Sequence, residues 1–271
     1  LFNGVQRVPP CTLIYSDTDR PLSLTPLFTI TVDSQPYDGR SLRQNANALA
    51  DRFLTSCAVR SQHSPQSIVA LSGGLDSRAV ALGLRKADQT LKTVTFRRHD
   101  GTNQRDVTGA QALVQQYSFT AHTIDLPPTT AGHLIRLLQV KRGLNLFDLG
   151  YLPAFFNELL AQYDSPFHLF TGDGGLALRD LRPKIEIDDL ESATKAILKS
   201  CWWDPELVAR LMGLSSQAII ESVQKRLCSY PESDWNQRFI HFQLERIYKF
   251  AFEGEDRNRY FFWSVAPFWS W

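Results

Sequence analysis

The segment Ser72-Gly73-Gly74-Leu75-Asp76-Ser77 gathers side chains suited to holding phosphate. Its two glycines allow a tight turn, with φ expected positive, and let a ligand approach the backbone closely. N–H groups of such a turn, and of the helix that follows it, can converge on anionic oxygens. The hydroxyls of Ser72 and Ser77 add donors. Asp76 would repel a phosphate directly, and it makes sense with a Mg²⁺ between its carboxylate and the phosphate oxygens. A GxxxxGK[ST] loop sets a lysine on the β- and γ-phosphates to promote γ-transfer. This segment lacks that lysine. A loop that grips the β- and γ-phosphates as one leaving unit leaves the α-phosphorus open to attack. The products would be pyrophosphate and an adenylated substrate. Two adjacent glycines alone would read as a serine-capped turn from strand to helix. The whole S-G-G-x-D-S run, after an apolar strand and before a helix, selects a nucleotide loop.

The flanking sequence supplies that strand and helix. "SIVAL" reads as a buried strand and "SRAVALGLRKA" as a helix. Further along, "LKTVTFRR", "AHTIDL" and "PFHLFTG" read as strands. "QRDVTGAQALVQQY", "TAGHLIRLLQVKR" and "GYLPAFFNELLAQY" read as helices between them. Strands and helices in alternation predict an α/β fold, an open, mostly parallel sheet with helices on both faces. In such sheets ligands sit beyond the carboxyl ends of the strands, where "SGGLDS" lies. Upstream, "RSLRQNANALADRFLTSCAVRSQ" has helical spacing, and residues 1–33 alternate like a hairpin broken by prolines. From Asp188 onward every segment is helical in period, and no convincing strand follows the fourth. The expected division is a linker or domain remnant over 1–40, the ATP-binding α/β part over 41–187, and a helical C-terminal extension over 188–271.

Composition narrows the partners. Among 271 residues, 29 basic and 28 acidic side chains leave a net charge of +1, so no bulk charge points to nucleic acid or an anionic membrane. No apolar run approaches the roughly 20 residues that span a bilayer, and no signal peptide is visible. The four cysteines (Cys11, Cys57, Cys201 and Cys228) form no CxxC, and the six histidines show no ligand spacing. A disulfide framework and a zinc site are therefore not expected, and a reduced, cytoplasmic setting is. The start at Leu1 and the aromatic end "SVAPFWSW" suggest a piece of a longer protein. The Arg97-Arg98-His99 run reads as solvated charge. Asp106 reads as complementing a helix dipole. The Trp202-Trp203 pair and the aromatic C-terminal run read as core or interface.

"LSGGLDSRAVA" resembles the signature of the N-type ATP pyrophosphatases, the PP-loop enzymes, whose sheet is of the adenine nucleotide alpha hydrolase kind. The fuller pattern resembles the synthetase domain of class B (glutamine-hydrolysing) asparagine synthetases and relatives such as β-lactam synthetase and lasso-peptide cyclases. "GVQRVPPCTLIY" is similar to the segment joining that family's glutaminase and synthetase domains. "RDVTGAQALVQQYSFTAHTIDL" is similar to the helix and strand after the second sheet strand. "FTGDGGLALRDL" is similar to its second active-site loop, and "EDRNRYFFWSVAPF" to its Asp-Arg helix running into Pro-Phe. The resemblance covers most of residues 4–268. It implies ATP and Mg²⁺ as cofactors and a small carboxylate as substrate, with a glutaminase domain as a possible N-terminal neighbour. Leu71, Ser72, Gly73, Gly74, Asp76 and Ser77 would hold pyrophosphate, with Asp76 on Mg²⁺. Thr95, Phe96 and Arg97 would lie near adenine. Gly172, the catalytic candidate Asp173, and Gly174 would face the α-phosphate and the acceptor carboxylate.

The sequence also departs from that pattern. Leu176-Ala177 stand where the family has Asp-Glu, which removes a second Mg²⁺ ligand; Asp173 and Asp180 are the alternatives. Trp263 and Val265 replace the Glu-x-Arg before Pro-Phe. The family's catalytic lysine would fall after Trp271. Cys11 lies in the linker-like segment and reads as a small buried residue, so glutamine hydrolysis by this chain is not expected. Three readings follow: an ATP-dependent amide ligase like asparagine synthetase, a degenerate module that binds nucleotide without turnover, and a PP-loop ligase for a peptide or sugar carboxylate.

Overall fold

The computed structural model describes the chain apart from residues 1–7, 10–11, 19, 29, 34, 87–90, 142–146, 164–165, 202–203 and 270–271. Cys11, Trp202, Trp203 and Trp271 thus lie outside the described residues. In chain order the strands are β1 Thr12–Asp17, β2 Arg20–Pro26, β3 Ser67–Ala70, β4 Lys92–Arg98, β5 Thr120–Leu126, β6 His168–Phe170 and β7 Trp263–Val265. The helices are α1 Gln35–Asp38, α2 Leu42–Ser61, α3 Leu75–Arg85, α4 Gln104–Tyr117, α5 Ala131–Lys141, α6 Leu152–Gln162, α7 Leu190–Ser200, α8 Pro205–Met212, α9 Ser216–Cys228 and α10 Trp235–Asn258. They form two compact units, residues 37–180 with 244–271, and residues 1–36 with 181–243.

The first unit is built on a five-stranded sheet in the order β5-β4-β3-β6-β7, every pair parallel. Successive side chains of β3 point to opposite faces, and both faces are covered. Val69 packs with Phe170, Val80, Leu84 and Val265 in one cluster, while Ile68 packs with Val94, Leu169, Phe155 and Leu159 in the other. Double coverage explains why Ile68–Ala70 are continuously apolar instead of alternating. The helix predicted over Arg40–Gln62 begins at a capping box: the Gln44 N–H donates to Ser41 Oγ at 3.3 Å and the Ser41 N–H to Gln44 Oε1 at 2.8 Å.

A strand does follow the fourth, contrary to the sequence expectation. β7 pairs with β6 in the register His168↔Trp263, Leu169↔Ser264 and Phe170↔Val265. Its three residues are too few to show a period, and the edge of β6 supplies the pairing that local sequence does not. The Asn258 side-chain amide donates to Ser264 Oγ at 3.2 Å, satisfying a fully buried hydroxyl. Part of the aromatic C-terminal run is core, as expected, while Tyr260 and Trp263 are exposed. Phe262 packs edge-on to Phe156 at 5.0 Å, and Phe268 stacks on Phe53 at 4.6 Å.

In the second unit β1 and β2 pair antiparallel, so the predicted hairpin forms. Helices α7 to α9 and the start of α10 enclose Ile187, Ala193, Ile197, Val223, Leu227 and Phe239. The buried Glu232 ties three segments. It accepts from the Val32 N–H at 2.9 Å and faces His241 Nδ1 at 2.8 Å. Burial alone would raise its carboxyl, but the hydrogen bonds from Val32 and His241 outweigh burial and hold it below its ordinary value. Glu232→Ala strands both partners in the interior, and we expect a loss of about 2–4 kcal/mol, read from urea unfolding. An unchanged midpoint would show that water reaches both groups.

Cys57 and Cys201 are buried and Cys228 is exposed, and none of these three is in a disulfide. Burial pushes the Cys57 thiol up to about 12, so it is no nucleophile. No helix among the described residues is long and apolar enough to cross a membrane.

Candidate nucleotide site

The sheet order reverses at β3: the chain leaves it outward to β4, and β6 returns on its other side. The crevice beyond the carboxyl ends of two such strands is where open α/β sheets bind ligands. Both sequence-predicted loops arrive there. Residues 71–74 join β3 to α3, and residues 171–174 join β6 to a 3-10 turn over Gly175–Leu178. Small residues let the loops touch. A Cβ on Gly172 would lie 2.6 Å from the Ser77 backbone nitrogen and 3.0 Å from the Asp76 carbonyl carbon. A Cβ on Gly175 would lie 2.4 Å from Asp76 Cγ. The Asp76 carboxylate is therefore set directly against the second loop. Gly174, at φ +93°, makes the turn between them.

The glycine loop differs from its sequence reading in two respects. Gly74 is extended, with φ −73° and ψ 162°, and Gly73 is not among the positive-φ glycines. What Gly73 provides is close approach: a Cβ on Gly109 of α4 would lie 2.6 Å from Gly73 Cα. Sequence reasoning missed Gly109, whose signal was a glycine inside a predicted helix. The serines, too, face inward. Ser77 is buried, and its Oγ accepts from the Ser72 N–H at 3.0 Å and lies 3.0 Å from Ser72 Oγ. Ser72 Oγ in turn accepts from the Gly74 N–H at 3.1 Å. They brace the loop and leave its presentation to the first N–H groups of α3, which have no partner within the helix. Leu71 is locked to β4: its N–H donates to Val94 O at 2.8 Å and its carbonyl accepts from Thr95 Oγ1 at 2.7 Å. Phe96 packs on Tyr151 and Phe155, each at 5.1 Å.

Charge is concentrated around the two carboxylates. Asp76 Oδ2 accepts from Arg179 Nη2 at 3.2 Å. Asp173 is pushed up to about 7, first by burial and then by the neighbouring Glu255 carboxylate and a hydrogen bond with it; Arg257 opposes and Asp76 adds to the shift. Glu255 is 3% exposed. Its Oε1 accepts from Thr171 Oγ1 at 2.6 Å, and its Oε2 is buried with no hydrogen-bond partner. Burial lowers Arg257, while Asp173, Tyr151 and Glu255 pull it the other way. Sequence reasoning missed Glu255, Arg257 and Arg179 as site residues. The signal for the first two was a charged Glu-Asp-Arg run just before an aromatic stretch.

Other candidates stay outside this carboxylate cluster, although the Asp106 backbone backs the glycine loop, its Cα 3.4 Å from where a Cβ on Gly73 would lie. Arg97 pairs with Asp125 and Arg98 with Asp100, each at 2.9 Å, as a solvated charge run should. Asp106 sits in the first turn of α4. Among the described residues no three His, Cys, Asp or Glu side chains converge as a metal cage. A single, partly exposed carboxylate at a phosphate loop does fit Mg²⁺ held mostly by phosphate oxygens and water.

Residues 48–144 match the family model of NAD synthase. That stretch contains the glycine loop, β3, β4 and β5, and stops before the second loop. Over it, the chain is similar to NAD synthase; the specific likeness to asparagine synthetase is not supported. No curated protein matches. Among solved structures, NMN synthetase from Francisella tularensis aligns at 13% identity over 78% of this chain and 96% of its own, with a TM-score of 0.35. The NH3-dependent NAD synthetase from Campylobacter jejuni subsp. jejuni NCTC 11168, in complex with the nitrate ion, aligns at 17% identity over 77% of this chain and 96% of its own, with a TM-score of 0.36.

Proposed function

We propose that this chain is an ATP-dependent, AMP- and pyrophosphate-forming amide ligase domain. One observation carries the reading: the lysine-free glycine loop and the Gly172–Gly175 loop meet at the switch point, with Asp76 between them. Similarity of residues 48–144 to NAD synthase supports the same class of chemistry.

In this reading Leu71–Ser77 form the cradle of the β- and γ-phosphates, with Leu71, Ser72 and Gly74 bonded within the fold and the first N–H groups of α3 turned to the phosphate oxygens, and Thr95 and Phe96 lie toward adenine. A substrate carboxylate held near Gly172–Gly174 attacks the α-phosphorus. The bond to pyrophosphate breaks as the acyl-adenylate forms, and ammonia or an amine then displaces AMP. Asp76 would hold Mg²⁺, which supplies positive charge against the phosphate oxygens. Asp173, raised to about 7, would take the proton that the attacking nitrogen loses. The acceptor is proposed as a small carboxylate, as in asparagine synthetase, or a peptide or sugar carboxylate. The exposed Leu176 and Leu178 favour an acceptor with an apolar part, because Leu176 presents hydrocarbon where the first carboxylate of a pair is expected and Leu178 extends it. The same substitution favours, as a second reading, a module that binds nucleotide without turnover.

Calorimetry with Mg·ATP tests this directly. The wild type is expected to bind in the micromolar to millimolar range, and Asp76→Ala combined with Gly74→Val to weaken binding at least about tenfold. Folded wild type without affinity for Mg·ATP would reduce the loop to a structural turn. Binding without pyrophosphate exchange, across candidate carboxylates, would select the second reading.

A further inference from the structure

The second loop lacks the carboxylates expected at 176 and 177, yet Asp76 already has a cation against it. Arg179 follows the 3-10 turn, its backbone N–H donating to Leu176 O at 3.1 Å, and its Nη2 reaches Asp76 Oδ2 at 3.2 Å. The two side chains are 59% and 31% exposed. A half-solvated ion pair of this kind is weak, and a polyanion competes for its cation easily. A guanidinium presents several N–H donors in a plane and grips phosphate oxygens in pairs. The other arginine at the loop, Arg78, is turned inward: its Nη2 donates to Gly73 O at 3.3 Å and its Nε is buried. Gly175 sets the turn that leads to Arg179 immediately against Asp76.

We infer that Arg179 is a pyrophosphate ligand: its guanidinium, paired with Asp76, is given up to the β- and γ-phosphates when nucleotide binds. This rests on the nucleotide reading of the glycine loop. It supplies, from the chain itself, positive charge that a second carboxylate-held metal would otherwise bring. The exchange also explains the Leu176-Ala177 substitution. A loop that contributes a cation would be opposed by two acidic neighbours, because they would hold the guanidinium away from the phosphates.

The test is calorimetry of the full chain with inorganic pyrophosphate and with Mg·ATP, on wild type, Arg179→Ala and Arg179→Lys. Arg179→Ala is expected to weaken both ligands roughly tenfold, and Arg179→Lys to recover part of the loss through charge without the planar fork. Circular dichroism and melting should match the wild type, since the pair is solvated. If wild type binds and Arg179→Ala binds equally well or more tightly, Arg179 is only a surface partner of Asp76, and the nucleotide reading stands. If folded wild type binds neither ligand, the nucleotide reading falls and the assignment falls with it.

Discussion

Gly172→Ala is expected to weaken Mg·ATP binding about a hundredfold in a protein that still folds. The added Cβ would sit 2.6 Å from the Ser77 backbone nitrogen and 3.1 Å from Asp76 Cβ. Neither atom belongs to the far end of a flexible side chain, so the two loops must separate. Overpacking of this kind costs about 1–3 kcal/mol, which a domain of this size usually survives. The larger effect falls on function. A shift of roughly an ångström in a site that must grip three phosphates is enough to lose about a hundredfold. Gly39→Ala is the matched control, because nothing lies within 4 Å of the Cβ it adds. Calorimetry and thermal melting of both variants decide the matter. Gly172→Ala binding as tightly as wild type would mean that the close contact of the loops is no part of the ligand site.

The parts of this site that were legible in the sequence are those with a local cause. "SIVALSGGLDSRAVA" is a buried strand, a turn and a helix within one short run, and each element shows its own pattern. The hairpin and the capped helix α2 were legible for the same reason. The rest depends on partners distant in sequence. β7 is a strand because β6 offers it an edge. Gly109 is small because Gly73 passes against it. Ser77 faces inward because Ser72 is there to meet it, so a hydroxyl assigned to a ligand instead braces the loop. Asp173 acquires its unusual carboxyl from burial first and then from Glu255, eighty-two positions away in the sequence. No window of residues contains both. Arg179 was hidden differently. It lies in a segment where the family resemblance directed attention to two missing carboxylates, and its meaning emerges only from its distance to Asp76.

The pair formed by Asp173 and Glu255 has a measurable consequence for stability. Asp173 begins at 3.8 and is pushed up to about 7, by burial first and by the Glu255 carboxylate next. The folded chain therefore holds a proton that the unfolded chain gives up. Stability from this group is fully present below pH 3.8, declines as pH rises from there to about 7, and is flat above. Asp173→Asn removes the titration while keeping the shape and a donor for Glu255. Relative to wild type, Asp173→Asn should gain stability steadily from about pH 4 to pH 7, by an amount on the order of a few kcal/mol, and no further above. Glu255→Gln acts on the second cause and leaves burial in place, so it should move the wild-type midpoint of that decline to lower pH without abolishing it. The opposite trend belongs to Glu232, whose lowered carboxyl favours the fold at higher pH and cancels in the difference between variants. Urea unfolding at half-unit pH intervals measures that difference. A gap between wild type and Asp173→Asn that stays constant from pH 4 to pH 8 would mean that Asp173 ionises normally, and it would remove Asp173 as the group that takes the nucleophile's proton near neutrality. A gap that opens across this window would instead identify a carboxylate poised for proton transfer at the pH where an amine nucleophile needs one.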